Sequence, residues 1–324
     1  MGNHIVVEKK ISEFRVGDTV QGNFYVRESE MKQTTTNNKY MNFTFSDKSG
    51  EINAKFWDWD EDNATRFRAG VVVKARGQVI DWQGQLQFKI ERIRRTIETD
   101  QIKMEDLIPS APESGESMLA YIESVVDRMQ DTQLQTFVRK VIDLYRTQLL
   151  IYPAAKRNHH AVRCGLLYHV STMLKAAEAL TQVYGFLNKD LLYTGVILHD
   201  IGKISEMNVN ACGLVSEYSA EGMLLGHLIE GVKLVGQIGA QTGLDSEKIL
   251  LIEHMILSHH YLPEHGSPKF PMFPEAEMLH YLDIVDARMY DMAKVSEATE
   301  PGCFSDRIWS LDNRVIYRST IDKT

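Results

Sequence analysis

Leu191-Leu-Tyr-Thr-Gly-Val-Ile-Leu-His-Asp-Ile-Gly-Lys203 is the stretch on which the reading of this chain of 324 residues turns. An apolar run at helical spacing ends in an imidazole and a carboxylate side by side, His199 and Asp200, followed by Gly202, which can stop a helix, and by Lys203. Imidazole nitrogen beside carboxylate oxygen suits zinc, manganese or iron rather than calcium. Two adjacent side chains do not enclose an ion, so further ligands must come from elsewhere. They are present: His169 in Gly165-Leu-Leu-Tyr-His169, His227 in Gly226-His-Leu-Ile-Glu230, the pair His259-His260, and Asp283 in Leu279-His-Tyr-Leu-Asp283. Each lies on or at the end of an apolar helical pattern, so several helices can aim one polar group each into a shared cavity, as in metal sites at the core of helix bundles.

The order His169, His199-Asp200, Asp283 resembles the metal-binding signature of the HD-domain phosphohydrolase superfamily, and His227 with His259-His260 resembles its two-metal branch. Pro153-Ala-Ala-Lys-Arg-Asn-His-His160, Gly165-Leu-Leu-Tyr-His169, Ser258-His-His-Tyr-Leu-Pro-Glu-His-Gly-Ser-Pro268 and Pro274-Glu-Ala276, preceded by an OB-like domain, extend the likeness over nearly the whole chain, which is similar to the YhaM family of 3'-5' exoribonucleases. That resemblance implies two divalent transition-metal ions, manganese foremost with cobalt, iron or zinc as alternatives. His169, His199, Asp200 and Asp283 would hold the first, and His227, His259 and His260 the second, with Asp200 bridging. It implies removal of nucleoside 5'-monophosphates from the 3' end of single-stranded RNA, with single-stranded DNA open as a second substrate. His159, His160, Arg163, Glu264 and Ser267 match the family's motifs as substrate-binding residues. One departure is that Cys164 and Tyr168 flank His169 where superfamily members often carry glycine and glutamate.

Composition sets the frame. The length allows two ordinary domains, and 44% hydrophobic with 25% charged residues is that of a globular chain. No apolar run is long enough to cross a membrane and the N-terminus lacks the order of a signal peptide, so a cytoplasmic protein without a membrane partner is expected. Cys164, Cys212 and Cys303 are odd in number and far apart, against a disulfide framework or a thiolate zinc site. The net charge of −8 is uneven: residues 1–98 hold sixteen Lys plus Arg against fourteen Asp plus Glu. A nearly neutral first domain can still carry a local basic stripe.

Residues 14–95 read as strands: Phe14–Val26, Tyr40–Phe45, Glu51–Trp57, Val71–Trp82 and Leu86–Ile93, with a tight turn at Gln83-Gly84. Five short strands with an insert near Asp60–Phe67 match a small Greek-key barrel. Most of Phe43, Phe45, Phe56 and Phe88 should fill it, while Trp57, Trp59 and Trp82, near turns and harder to bury, rank first as outward stacking platforms for unpaired bases. Lys39, Lys55, Lys74, Arg76 and Lys89 would track phosphates. Seven helices follow: Met118–Met129, Leu134–Ile151, Leu166–Tyr184, Asp190–Ile201, Ala220–Thr242, Ser246–His259 and Glu275–Ala293. Asn208–Tyr218 reads as a lid or hairpin, and the tail with Trp309 and Tyr317 packs on the bundle or on a neighbouring subunit. The expected class is multidomain α and β: an OB-fold β-barrel over 1–98, a linker over 99–117, and an all-α HD-domain bundle over 118–324.

Asp200 and Lys203 are the candidate catalytic residues. Lys203 is placed to neutralise a phosphate oxygen, with a plain helix-terminal lysine as the alternative. Asp286 competes with Asp283 for the ligand role at a spacing of three, and the superfamily pattern favours Asp283. His254 is off the face of His259 and reads as surface, whereas His280 could support a ligand. Two other functions stay open: a phosphohydrolase of small nucleotides or cyclic dinucleotides, and a nucleic-acid-binding factor with structural metals. Homo-oligomerisation is also open.

Overall fold

The computed structural model describes residues 9–58, 60–156 and 160–321. Trp59 and His159 lie outside the described residues. The chain divides into two compact units, one taking in the residues up to Ser110 together with Asn210–Cys212, the other the remainder from Ala111.

The first unit is a closed five-stranded barrel in the order β1-β2-β3-β5-β4, built from β1 (Thr19–Gln33), β2 (Lys39–Asp47), β3 (Gly50–Phe56), β4 (Val72–Trp82) and β5 (Gln85–Arg95). A short helix α1 (Glu61–Arg66) joins β3 to β4, and Phe67 behind it is buried. Closure depends on β1, whose first half pairs with β4 and whose second half pairs with β2, with a bulge between Val26 and Glu28. The strand runs past the expected end at residue 26. Its extension, Arg27-Glu-Ser-Glu-Met-Lys-Gln33, is largely exposed and so lacks the alternation by which a strand is recognised in sequence.

Alternation does hold where one face is buried. Val73, Ala75 and Val79 of β4 point inward, and Phe24 stacks on Phe45 with ring centroids 5.4 Å apart. Phe43, Phe45 and Phe88 are fully buried, as expected of barrel fillers. Gln83 and Gly84 take φ of 55° and 81°, the left-handed pair that a two-residue hairpin requires. The segment expected as a linker is folded in its first part: Leu107 and Ile108 are buried, and Asp106 O accepts from the Lys48 N–H at 2.9 Å.

The second unit holds eight helices among the described residues: α2 (Gly115–Asp127), α3 (Thr132–Leu149), α4 (Gly165–Val183), α5 (Lys189–Leu198), α6 (Lys203–Glu206), α7 (Ala220–Thr242), α8 (Ser246–Ser258) and α9 (Pro274–Ala298). Side-chain oxygens of Ser114, Asp131, Asn188, Ser219 and Asp245 cap five of them. The eighth helix is α6, a single turn that starts at Lys203. The unit is not purely helical, because β6 (Met207–Val209) and β7 (Val215–Tyr218) form a small antiparallel hairpin within the stretch expected as a lid or hairpin. α5 lies deepest, buried from Leu191 through Leu198 except at Tyr193, which is why its sequence shows no polar stripe. No helix among the described residues is long and apolar enough to cross a membrane.

Gly77 of β4, opposite the bulge that Glu91 makes in β5, marks the tightest backbone approach in the barrel. A Cβ there would lie 2.2 Å from Lys89 O and 3.0 Å from Ile90 Cα, backbone atoms that cannot yield without opening the β4–β5 ladder. Gly77→Ala should cost about 1–3 kcal/mol or more. Urea unfolding followed by tryptophan fluorescence is the check, and an unchanged midpoint would show that the two strands separate freely at this point.

Candidate active site

Two of the site's histidines are presented by helix ends. His199 follows the last turn of α5, and its Nδ1 donates to Val196 O at 2.9 Å; His259 follows the last turn of α8, and its Nδ1 donates to Ile256 O at 2.8 Å. Each imidazole thus satisfies a carbonyl that a helix end leaves without an intrahelical donor. His260 Nδ1 meets His265 O at 2.7 Å, His227 Nδ1 meets Glu206 Oε1 at 3.2 Å, and His169 Nδ1 meets Asp286 Oδ2 at 2.7 Å. A carbonyl or an ionised carboxylate only accepts, so in all five rings Nδ1 carries the proton and Nε2 is left to face the centre.

The Nε2 atoms converge on two carboxylates. Asp200 Oδ2 lies 3.4 Å from His199 Nε2 and 3.9 Å from His169 Nε2, while Asp200 Oδ1 lies 3.6 Å from His227 Nε2 and 3.9 Å from His259 Nε2. Asp283 Oδ1 is 3.2 Å from His169 Nε2. His169, His199 and Asp200 form one set of adjacent donor atoms, His199, His259 and Asp283 another, and His227, His259 and His260 a third. His160, His169 and Asp286 also cluster, but that set is closed by hydrogen bonds, with His160 Nε2 and His169 Nδ1 both on Asp286 Oδ2 at 2.8 and 2.7 Å.

Three buried atoms, Asp200 Oδ1, His227 Nε2 and His259 Nε2, have no hydrogen-bond partner among the described residues. All three are acceptors and they face one another, so none can serve another. Leaving such groups unpaired costs about 1–3 kcal/mol each. A cation satisfies all three at once, and in this sense the donor set fits divalent metal ions.

The charges are consistent with that reading. Burial opposes ionisation of Asp200, yet Lys203, whose Nζ is 2.7 Å from Oδ2, and His199 hold its carboxyl well below the usual range. Burial likewise opposes the charged form of Lys203, and Asp200 more than restores it. For His169 burial favours the neutral ring, but hydrogen bonds to Asp283 and Asp286 outweigh it and push the imidazole up to about 9. His259 and His260 are depressed, first by burial and then by neighbouring imidazoles.

Two glycines make the assembly possible. Gly202 does not stop a helix by adopting a left-handed conformation; its φ is −62°. It is glycine because a Cβ would fall 2.0 Å from His227 O and 2.7 Å from Gly231 N, so α6 can approach α7 closely enough to place His227. Gly226, at φ 72°, breaks α7 just before His227, and Glu206 Oε1 accepts from the freed His227 N–H at 3.2 Å. A cleft of about 970 Å³ opens onto this centre, lined by Asp200, Lys203, His227, His259, His260 and Asp283, while His169 and His199 are fully buried behind it.

Family models match both units: an HD domain over residues 166–288 and an OB-fold nucleic acid binding domain over residues 26–96. The chain is 38% identical to a 3'-5' exoribonuclease YhaM of Listeria welshimeri over 98% of its own length and 100% of that protein's. The YhaM of Listeria monocytogenes is 37% identical with the same coverage, and that of Halalkalibacterium halodurans is 36% identical over 94% of each chain. The chain belongs to the YhaM family of 3'-5' exoribonucleases. The two matched models, an OB fold and an HD domain, agree with the barrel and the helical unit described above.

Against the YhaM motifs, the residues expected to bind substrate separate by position. His160 is buried on Asp286, and Ser267, with no exposed surface, accepts from the His260 N–H at 3.1 Å; both face supporting contacts rather than the cleft. Arg163 and Glu264 are not among the residues lining the cleft. On the barrel, Trp57 and Trp82 are about half exposed, and Lys55 Nζ lies 5.3 Å from the centroid of Trp82 and 5.2 Å from that of Tyr40, which in turn packs on Trp57. Lys74 and Arg76, by contrast, pair with Asp100 and Glu91. His280 Nδ1 donates to His259 O at 2.7 Å, and His254, half-buried, accepts from the Met272 N–H. Sequence reasoning missed Glu206 as the partner of His227, since nothing in a separation of 21 residues signals it. It saw Asp286 only as a rival to Asp283; the structure puts the two carboxylates on opposite nitrogens of His169.

That placement has a measurable consequence. In metal-free protein Asp286→Asn removes one of the two carboxylates that hold His169 protonated, so its pKa should fall from about 9 toward or below the ordinary imidazole value. Because the folded-state pKa is raised, the pair's contribution to stability is complete below about 6.5 and lost as pH rises through about 9. Imidazole chemical shifts against pH are the measurement. A His169 pKa still near 9 in the variant would show that Asp283 suffices alone.

Proposed function

We propose that the chain is a metal-dependent 3'-5' exonuclease that hydrolyses single-stranded RNA, and single-stranded DNA as a second substrate, to nucleoside 5'-monophosphates. The observation that carries this reading is the convergence of four Nε2 atoms, of His169, His199, His227 and His259, on the two oxygens of Asp200 and on Asp283, with three of the acceptors unpaired among the described residues. His169, His199, Asp200 and Asp283 would hold one ion, and His227, His259 and His260 a second. Asp200 would bridge them, since each of its oxygens faces one set. Manganese is the metal proposed, with cobalt, iron or zinc able to occupy the same donors. Ions held there lower the pKa of a coordinated water and offset charge on phosphoryl oxygens.

The protein's own groups have separate tasks. The Nδ1 acceptors fix each imidazole's tautomer and direction, so the donor set is formed before substrate arrives. Lys203 lines the cleft as a partly buried cation next to Asp200, where it can neutralise a non-bridging phosphate oxygen. On the barrel, Tyr40, Trp57 and Trp82 with Lys55 form a surface suited to stacking unpaired bases and meeting phosphate. A duplex offers no free base faces to such a surface. The 3' direction is supported by the named activity of the relatives.

The test is incubation of manganese-loaded protein with 3'- and 5'-labelled single-stranded RNA. A ladder that shortens from the 3' end with 5'-monophosphate products is expected, and a blunt duplex cut equally fast would overturn the preference for single strands. Elemental analysis should find two ions per chain, and one ion would remove the second ligand set. Asp200→Asn should lower the rate by at least roughly 10²–10³-fold, the scale of losing a principal source of transition-state charge stabilisation. Binding of single strands should survive that change. Near wild-type rates at saturating manganese would show that Asp200 is not the bridge.

A further inference from the structure

Beyond α9 the chain folds back as a hairpin. Phe304 bridges Tyr317 and Ile308 bridges Arg314 in antiparallel register, with Ser305 N–H donating to Ile316 O at 2.9 Å and Arg318 N–H to Cys303 O at 3.0 Å. This segment lies outside the part of the chain matched as an HD domain. Its tip is pinned twice. Leu311 has no exposed surface, and Arg288 of α9 donates to both carboxylate oxygens of Asp312 at 2.8 and 3.2 Å.

Held close to these anchors, Trp309 is 74% exposed, and it lines the same cleft as Asp200, His227 and Asp283. It is shared with a second groove of about 740 Å³ that runs between α9 and the hairpin. An ordered element that keeps an indole in water at the wall of a reaction cleft calls for a flat apolar partner. The charges around Trp309 are mixed: Asp312 is paired with Arg288 and Arg314, and Asp291 shares the second groove with Lys294 and Arg307. What the indole itself offers is a flat neutral face, which suits a base rather than a phosphate. The other aromatic of the cleft, Tyr218, already has the Lys156 ammonium over its ring at 5.5 Å.

We infer that Trp309 is a stacking platform for a base among the last nucleotides of the strand whose 3' end lies at the His/Asp centre. The inference rests on reading that centre as an exonuclease site. Stacking on an aromatic face tolerates every base, which suits an enzyme that removes nucleotides one after another. Trp309 then positions the strand and takes no part in the chemistry.

The experiment uses the full-length manganese-loaded protein and an unstructured RNA. Trp309→Ala should raise KM about tenfold with kcat held within about twofold, as expected for one lost base stack, and Trp309→Phe should restore most of the loss. In parallel, 2-aminopurine is placed in turn at each of the last four positions of an RNA bound to the Asp200→Asn protein. Quenching at one position, relieved by adding Trp309→Ala, is the expected result. Quenching at no position, or quenching indifferent to Trp309, overturns the inference, as does an unmoved KM with an altered sedimentation coefficient, which would mark Trp309 as a contact between copies. If the wild type fails to degrade RNA while the Trp309-dependent quench persists, the exonuclease reading falls and the stacking site stands.

Discussion

The second unit depends on one buried carboxylate. Asp200 is 3% exposed and sits at the C-terminal end of α5, where the helix dipole disfavours negative charge. Removing an ionised carboxylate from water is tolerated only where opposite charge and hydrogen bonds compensate it. Lys203 supplies the first offset on Oδ2, and the surrounding imidazoles face both oxygens. Much of the nearby backbone geometry, from the single turn of α6 to the break in α7, serves to bring those partners within reach.

The same economy recurs in the imidazoles. Histidines at the ends of α5 and α8 turn Nδ1 back onto a carbonyl three residues earlier, so the helix end gains a donor and the ring gains a fixed direction. His169 and His227 lie within helical segments and have no free carbonyl to use, and in their place Asp286 and Glu206 accept. A reactive centre with preset tautomers therefore emerges from ordinary helix-end chemistry together with two added carboxylates. The close contact of Gly202 with His227 O ties the two kinds of support together.

The barrel solves a different problem, which is to close a sheet around a small aromatic core. Phe24, Phe45 and Phe88 pack against one another inside it, whereas Trp57, at the end of β3, and Trp82, at the end of β4, escape burial because the ladder ends there. Tyr40 and Lys55 then gather around them from β2 and β3. Which aromatics fill and which present a face is thus decided by where each strand leaves the barrel.

The sequence by itself determined the succession of a β-barrel and a helical bundle, because alternation of period two and periodicity near 3.6 survive wherever one face is buried. It also determined the candidate ligands, since His169, His199-Asp200, His227, His259-His260 and Asp283 are polar interruptions of apolar helices in a specific order. It missed the second half of β1, α6 and the role of Glu206, whose side chains carry no period and whose partners are remote in the chain. The choice of Asp283 over Asp286 rested on the superfamily pattern, and only the tertiary structure gives the physical difference between them. Spacing along α9 puts both on nearly one face, and what separates them is the orientation of a single ring, His169, delivered from another helix. Likewise His160 and Ser267 look in sequence like substrate residues and in space like supports, because burial and hydrogen-bond direction are properties of the packed chain and not of the motif.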